Sequence, residues 1–343
     1  MKTIKNLVRK NIVDLKAYRS ARDEFNGRDG VFLDANENPF GPLNRYPDSY
    51  QSDFKNTLAA LKKIENEHLF IGNGSDEVID LAIRIFCNPG KDKIIICPPT
   101  YGMYEVAANI NDVKIERIEL DENFQLKTEK IISSNAKMVF ICSPNNPTGN
   151  DIDGIQTIIE NFNGIVFIDE AYIDFSSKPS LIEKIKKYPN IIVSQTLSKA
   201  WGRAAIRIGV AYASAEIINY FNKVKAPYNV SSINQIEAIR LLQNVETFNL
   251  NLNRIIKQKE WLIKKLLEND LVVQIYPSAT NFLLVKVKDA NLIYQKLIKQ
   301  KLIVRNRNTV IENTLRITVG TEEENEKLIE LLKKIENEKS IIY

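Results

Sequence analysis

The sequence predicts an α/β protein with a largely parallel sheet, joined to a smaller α+β unit. Three observations carry this. From residue 93, short apolar segments alternate with helical periods: Lys93–Cys97, Val113–Leu120, Met138–Cys142, Ile165–Ile168, Ile191–Val193 and Ile208–Ala211. Strand–helix alternation of this kind builds parallel sheets. Several of these segments are apolar throughout, as strands covered on both faces are. Beyond residue 214 the texture changes, and the 343 residues exceed the usual size of one domain. The expected organisation is an arm over residues 1–30, a large domain mainly over 31–240, and a small domain over 241–343.

In chain order, the arm is amphipathic. Ile4, Leu7, Val8, Ile12, Val13 and Leu15 alternate with basic residues and need an apolar surface, on this chain or on a partner. Val31-Phe32-Leu33 reads as a short strand that runs into a polar loop marked by proline and glycine, continuing to Asn44-Arg45-Tyr46-Pro47. A loop this long in a compact domain is more often functional than idle. Phe54–Ile64 is helical by period. Phe70 to Glu77 reads as a turn that opens a second helix. Its glycines and Ser75 leave backbone N–H groups free for a phosphate, although a helix cap with no ligand is the better explanation of this stretch taken by itself. After residue 214, helical periodicity runs to about Glu268. A strand pair follows, Leu271–Ile275 and Asn281–Val287, then a helix around Ala290–Lys301 and the segments Leu302–Arg305 and Leu315–Val319. A terminal helix starts after Thr321, with glutamates in its first turn, as the helix dipole favours.

Composition removes several function classes. The apolar fraction is 44% and the charged fraction 26%, as in ordinary globular proteins. The net charge of +4, from 47 basic and 43 acidic residues, is small and spread out, so neither nucleic acid nor a membrane surface is expected as a partner. Cys87, Cys97 and Cys142 have neither metal-ligand spacing nor a disulfide framework, which points to a reducing compartment. His68 is the only histidine, so histidine triads and histidine metal sites are excluded and no metal is expected. There is no secretory leader and no run of about 18 apolar residues, so a cytoplasmic protein is expected.

Ligands of parallel sheets bind at the carboxyl ends of the strands, and the polar clusters fall there. They are Pro98 to Tyr101, Ser143 to Gly149, Asp169 to Tyr172, and Thr196 to Lys199. A lysine in apolar surroundings has a lowered pKa and becomes a nucleophile. Lys199, with Thr196, Ser198 and Arg207 close in sequence, suggests an amine that captures a phosphorylated aldehyde such as pyridoxal 5′-phosphate. That cofactor needs a carboxylate to keep its ring nitrogen protonated, and Asp169 is the best candidate. A capping carboxylate is the competing reading of Asp169. Tyr101 could stack on the ring, Asn146 and Tyr172 could hydrogen-bond its phenolic oxygen, and Ser75 could join the phosphate contacts. A Ser198/Lys199 hydrolase dyad is disfavoured, because adjacent residues of an extended segment point apart.

The blocks LDANENPFG, GNGSDE, PPTYGMY, SPNNPTG, DEAYIDF, TLSKAWG, IRIG, APYNVS, PSATNFLLV and LRITVGT resemble, in order and spacing, the fold-type-I aminotransferases. More closely, they resemble the histidinol-phosphate aminotransferase family, over nearly the whole chain. The resemblance implies a seven-stranded, mostly parallel sheet between helices. It also implies transamination of L-histidinol phosphate with 2-oxoglutarate, giving imidazole acetol phosphate and L-glutamate in histidine biosynthesis. Another reaction of the same scaffold, aromatic amino-acid transamination or phospho-amino-acid decarboxylation, is the alternative.

Carried over by position, Lys199 resembles the Schiff-base lysine and proton carrier, and Asp169 the pyridinium partner. Tyr172 and Asn146 match the partners of the phenolic oxygen, and Tyr101 the stacking ring. Gly74, Ser75, Asp76, Thr196, Ser198 and Arg207 match the phosphate cup. Tyr46 matches a tyrosine that reaches the cofactor phosphate of a neighbouring subunit, which implies a homodimer with shared sites and places the loop of residues 31–46 near the small domain and that interface. Arg316, Arg305 and Tyr18 match contacts to the substrate. One fork at Arg316 can take either a carboxylate or a phosphate, and Arg305 adds charge for the phosphate. Arg307 reads as a solvated strand end. The chain departs from the common family form at Arg203-Ala204-Ala205, where a glycine is replaced and Arg203 is expected to add charge near the cofactor phosphate.

Overall fold

The computed structural model describes residues 3–19, 21–25 and 30–340; residues 1, 2, 20 and 26–29 of the expected arm lie outside the described residues. The arm begins with two short helices, α1 (Ile4–Leu7) and α2 (Lys10–Val13). Ile4, Leu7, Val8 and Ile12 are buried against the chain's own body, in one cluster with Ile79, Phe86 and Phe221. The Arg9 N–H donates to the Ile85 carbonyl at 2.9 Å, which pins the arm to the end of a helix below it. Of the two surfaces open to the apolar side of this segment, it takes its own domain.

The Val31–Leu33 strand does not form. Val31 and Leu33 are 89% and 88% exposed, with no pairing partner among the described residues. A strand needs a neighbour for its backbone groups, and apolar residues alone do not supply one. The loop is instead organised by a carboxylate. Glu37 accepts hydrogen bonds from Arg45 Nη1 (2.7 Å), Arg22 Nη2 (2.7 Å) and the Tyr46 N–H (2.6 Å). The Arg45 bond foremost holds the Glu37 carboxyl down at about 2.

The first sheet is built from β1 (Leu69–Asn73), β2 (Lys93–Ile96), β3 (Lys114–Arg117), β4 (Met138–Cys142), β5 (Ile165–Asp169), β6 (Ile191–Thr196) and β7 (Ile208–Ala213). The described residues give it seven strands in the order β1-β7-β6-β5-β4-β2-β3. All neighbours from β6 to β3 are parallel, and β7 runs antiparallel to β1 and β6. Helices α3 (Ser52–Lys62), α4 (Ser75–Phe86), α5 (Met103–Ile110), α6 (Thr128–Ser133), α7 (Ile155–Asn161), α8 (Ala215–Val224) and α9 (Ser232–Leu242) flank it. Because side chains alternate along a strand, each central strand feeds two cores. Val139, Ile141, Val166, Ile168 and Val193 enter one, whereas Met138, Phe140, Phe167 and Ile192 enter the other. β1 is hidden in the sequence. Gly72, which reads as part of a turn, is paired within the ladder opposite Gly209.

Helix α10 (Val245–Leu267) leads to a second sheet of β8 (Val272–Ile275), β9 (Phe282–Val287), β10 (Arg305–Asn306) and β11 (Thr314–Thr318), wholly antiparallel in the order β10-β11-β9-β8. α11 (Ala290–Lys299) and α12 (Glu322–Ser340) close its core through Ile293, Leu297, Leu328, Leu332 and Ile335. This sheet is tied to the carboxyl ends of β4 to β6. The Ala279 N–H donates to the Gly149 carbonyl at 2.7 Å, and Trp201 stacks on Phe248 with ring centroids 3.9 Å apart. No helix among the described residues is long and apolar enough to cross a membrane.

Candidate active site

The carboxyl ends of β4, β5 and β6 stop side by side, Cys142 opposite Asp169 and Asp169 opposite Ser194. The segments that leave them, with the start of α4 and the second sheet, enclose a cavity of about 370 Å³. Its lining brings together Ser75, Asp76, Tyr101, Asn146, Asp169 and Tyr172 with Thr196, Ser198, Lys199, Arg207, Arg305 and Arg316. Positions that the sequence scatters from Ser75 to Arg316 thus share one cavity.

Lys199 follows β6, and its Nζ lies 5.6 Å from the centre of the Tyr172 ring. Burial foremost, then Arg316, lowers its pKa, while Asp169 opposes the shift. The amine expected from sequence is therefore present in the surroundings that activate it. Asp169 is 3% exposed. Its Oδ2 accepts from Tyr104 Oη at 2.6 Å and its Oδ1 from the Ala171 N–H at 3.0 Å. Burial raises its pKa despite both bonds, so this carboxylate gains from a cationic partner. A protonated ring nitrogen is such a partner.

The phosphate cup expected from the sequence has a backbone logic. Gly74 has φ +82°, and a Cβ there would lie 2.5 Å from Arg207 Nη2. Gly209 is tighter still, for its Cβ would lie 2.3 Å from the Ser75 nitrogen and 2.4 Å from the Gly74 carbonyl carbon. β7 therefore passes directly under the start of α4, whose first N–H groups have no side-chain cap. Uncapped N–H groups at the positive end of a twelve-residue helix suit an anion. Thr196 Oγ1 lies 3.0 Å from Ser198 Oγ, and Arg207 Nη2 lies 3.4 Å from Asp76 Oδ2. These groups fit the phosphate of a pyridoxal cofactor, Lys199 its aldehyde, and Asp169 its ring nitrogen.

Gly209→Ala is expected to cost about 1–3 kcal/mol in urea unfolding, because both clashing atoms are backbone. The same shift of the α4 start is expected to weaken cofactor binding at least about tenfold by equilibrium dialysis. Unchanged cofactor affinity would show that the helix start is not part of the cup.

Tyr101 is half-buried and donates to Asp76 Oδ1 at 3.2 Å, while the loop after β4 is held by Asn145, whose Nδ2 donates to the Pro99 carbonyl. Asn146 Oδ1 accepts from Arg316 Nη1 at 2.5 Å, a direct link between the two sheets. Arg305 and Arg316 are opposite each other in β10 and β11.

Two expected tyrosines are not brought to this cavity within the chain, and Gly74, although it packs against Arg207, is not part of the lining. Tyr46 stacks on Tyr228 at 4.4 Å, and Tyr18, 69% exposed, lines a separate cleft beside Tyr50 and Lys223. Arg203 corrects another expectation. Its Nε pairs with Glu237 of α9 at 3.2 Å, which draws it out of the cavity lining. Ala205 has no positive φ, so the glycine replacement is accommodated, and the left-handed turns fall at Gly202 and Arg207 instead. Arg307, read as a solvated strand end, lines the cavity, as do Cys142 and Ala171. Tyr104 is a further residue of the site that sequence reasoning misses. Its one signal is its place three residues after Tyr101, at the start of α5.

No cluster among the described residues could hold a metal ion. The cavity lining places five cations (Lys199, Arg207, Arg305, Arg307 and Arg316) against two carboxylates, Asp76 and Asp169. It is built for more than one anion.

A family model for class I and II aminotransferases matches residues 14–332. The histidinol-phosphate aminotransferase of Parabacteroides distasonis is 50% identical over 341 residues, covering 97% of this chain and 99% of that protein. Among solved structures, the histidinol-phosphate aminotransferase from Clostridium acetobutylicum has a TM-score of 0.79 at 26% identity, covering 86% of this chain and 92% of that one. That from Sinorhizobium meliloti, in complex with pyridoxal-5′-phosphate, has a TM-score of 0.78 at 21% identity, covering 88% and 90%, and speaks for the fold.

Proposed function

This chain belongs to the class I and II aminotransferases and, within them, to the histidinol-phosphate aminotransferases, and from that premise we infer its reaction. It uses pyridoxal 5′-phosphate to move the amino group of L-histidinol phosphate to 2-oxoglutarate, giving imidazole acetol phosphate and L-glutamate. The observation that carries the reading is the Lys199 amine, its pKa lowered by burial, in one cavity with Asp169 and the arginines of the second sheet.

Bound pyridoxal phosphate supplies an electron sink for the bond that breaks next to the substrate nitrogen. The chain supplies the rest. Ser75, Thr196, Ser198, Arg207 and the α4 N-terminus would hold the cofactor phosphate, with Gly74 and Asp76 shaping that cup. Asp169 would hold the proton on the ring nitrogen, Tyr101 would cover the ring, and Asn146 and Tyr172 would hydrogen-bond its phenolic oxygen. Lys199 Nζ would hold the cofactor's aldehyde and, with the substrate in place, would accept the proton from the substrate carbon and return it later. Arg316 and Arg305 orient the substrate through its anionic group.

Residues 31–240 are taken mainly as the cofactor-binding part and 241–343 as the substrate-orienting part. A homodimer completes the site, with Tyr46 reaching the neighbouring subunit's cofactor phosphate and Tyr18 a substrate. The exposed Val31, Leu33, Phe40 and Leu43 beside Tyr46 support a partner surface there. A cytoplasmic location suits the buried free cysteines.

The test is turnover. Purified protein with cofactor, histidinol phosphate and 2-oxoglutarate is expected to release glutamate, measured by a coupled dehydrogenase. Consumption of phenylalanine or threonine phosphate with none of histidinol phosphate would overturn the reading.

A further inference from the structure

The reaction as described needs an arginine for the substrate's anion, and Arg316 and Arg305 meet that need. It leaves a third guanidinium unexplained. Arg307 lines the same cavity, two residues beyond Arg305 on the same edge of the second sheet.

Its backbone is fixed from several sides. The Arg307 N–H donates to the Thr314 carbonyl at 2.9 Å, and its own carbonyl accepts from the Val310 and Ile311 N–H groups at 2.8 and 2.9 Å. The turn is locked further by side chains, since Asn306 Oδ1 accepts from the Asn308 N–H and Asn308 Oδ1 from the Asn313 N–H. A side chain carried on such a hairpin is preorganised. Yet Arg307 Nε is buried with no hydrogen-bond partner among the described residues, and so is Arg316 Nε. A buried donor left without an acceptor costs free energy, which an acceptor in the cavity would recover. Burial, then Arg316 and Arg305, lowers the Arg307 pKa, so the three cations strain against one another until an anion arrives.

The two amino donors differ in that anion. Glutamate presents a carboxylate of one charge to each site, whereas histidinol phosphate presents a single group with two charges and three terminal oxygens. One arginine fork satisfies a carboxylate, but a phosphate dianion has acceptors for more.

We propose that Arg307 is the specificity-determining residue for the phosphate dianion of the amino donor, engaging it in addition to Arg316 and Arg305 and contributing little to the binding of glutamate. The proposal rests on the histidinol-phosphate reading given above.

Arg307→Gln and Arg307→Lys holoenzymes would be compared with the wild type in half-reactions with histidinol phosphate and, separately, with L-glutamate. Inhibition by inorganic phosphate would be measured in parallel. Arg307→Gln is expected to raise the half-saturating concentration of histidinol phosphate at least tenfold with its limiting rate within threefold. The half-saturating concentration of glutamate should stay within threefold, inorganic phosphate should inhibit at least tenfold less well, and Arg307→Lys should recover part of each loss. Unchanged histidinol phosphate saturation, or equal losses for both donors, would overturn the proposal. Should the Gln variant not fold, the Lys variant and the phosphate inhibition decide by the same criteria. Should the wild type ignore histidinol phosphate, the functional reading fails, while the inorganic phosphate arm still decides the role of Arg307.

Discussion

Lys199→Ala is expected to lower transamination by about 10⁴-fold or more, because one substitution removes both the proposed nucleophile and the proposed proton carrier. The fold should survive. Lys199 lies in a segment held by backbone bonds that its side chain does not make, from Gly202 N–H to the Lys199 carbonyl at 3.0 Å and from Leu197 N–H to the Ile208 carbonyl at 3.1 Å. Removing a partly buried cation that lies near Arg316 and Arg207 also relieves repulsion in the cofactor-free protein. The variant is therefore expected to unfold at a temperature no lower than wild type, while failing to retain the visible absorbance of covalently held cofactor after gel filtration. The lowered pKa gives the wild type a signature of its own. Lysine with its pKa pushed below the usual 10.5 loses its proton earlier as pH rises, so cofactor capture by the stripped protein should accelerate with a midpoint below that value. Retention of the absorbance by Lys199→Ala would remove the central residue from the mechanism.

Much of this architecture is legible in the amino-acid sequence. The apolar runs that form β4, β5 and β6 announce buried parallel strands, and chemistry at their carboxyl ends follows from topology. What stays hidden has physical causes. β1 is masked because Gly72 signals a turn locally, whereas here it lets the strand pass close to the start of α4, where a Cβ would already lie 3.0 Å from Val78 Cγ2. Val31–Leu33 has a strand's composition, but strand formation depends on a distant neighbour that a local reading does not contain. Arg203 looks like a charge for the phosphate because Lys199 and Arg207 flank it. Its direction is decided by Glu237, 34 residues away. Arg307 reads as solvated because an arginine near a strand end usually is, and only the hairpin geometry turns it inward. Tyr104 is marked only by its spacing from Tyr101, because the carboxylate it serves lies 65 residues on.

Asp169→Asn separates stability from activity, since the same burial acts on them in opposite directions. In the cofactor-free protein the carboxylate is buried, and its pKa is raised mainly by that burial. A raised acid binds its proton more tightly in the folded state, so its contribution to stability is present below the ordinary carboxylate range and is lost as pH rises through the raised value. Asparagine keeps the shape, an acceptor for the Ala171 N–H and a partner for Tyr104 Oη, and has no charge to bury. Cofactor-free Asp169→Asn is thus expected to be at least as stable as wild type near pH 7 by urea unfolding, without the decline with pH that Asp169 causes. With cofactor the balance reverses. In the mechanism proposed above, the anion that burial penalised is the one that would hold the ring nitrogen's proton, in a buried site where such a charge acts most strongly. Turnover should fall by about 10²–10³-fold and the cofactor should dissociate more readily by dialysis. Near-wild-type turnover in Asp169→Asn would mean that the ring nitrogen needs no anionic partner here, and that the Tyr104–Asp169 pair serves packing alone.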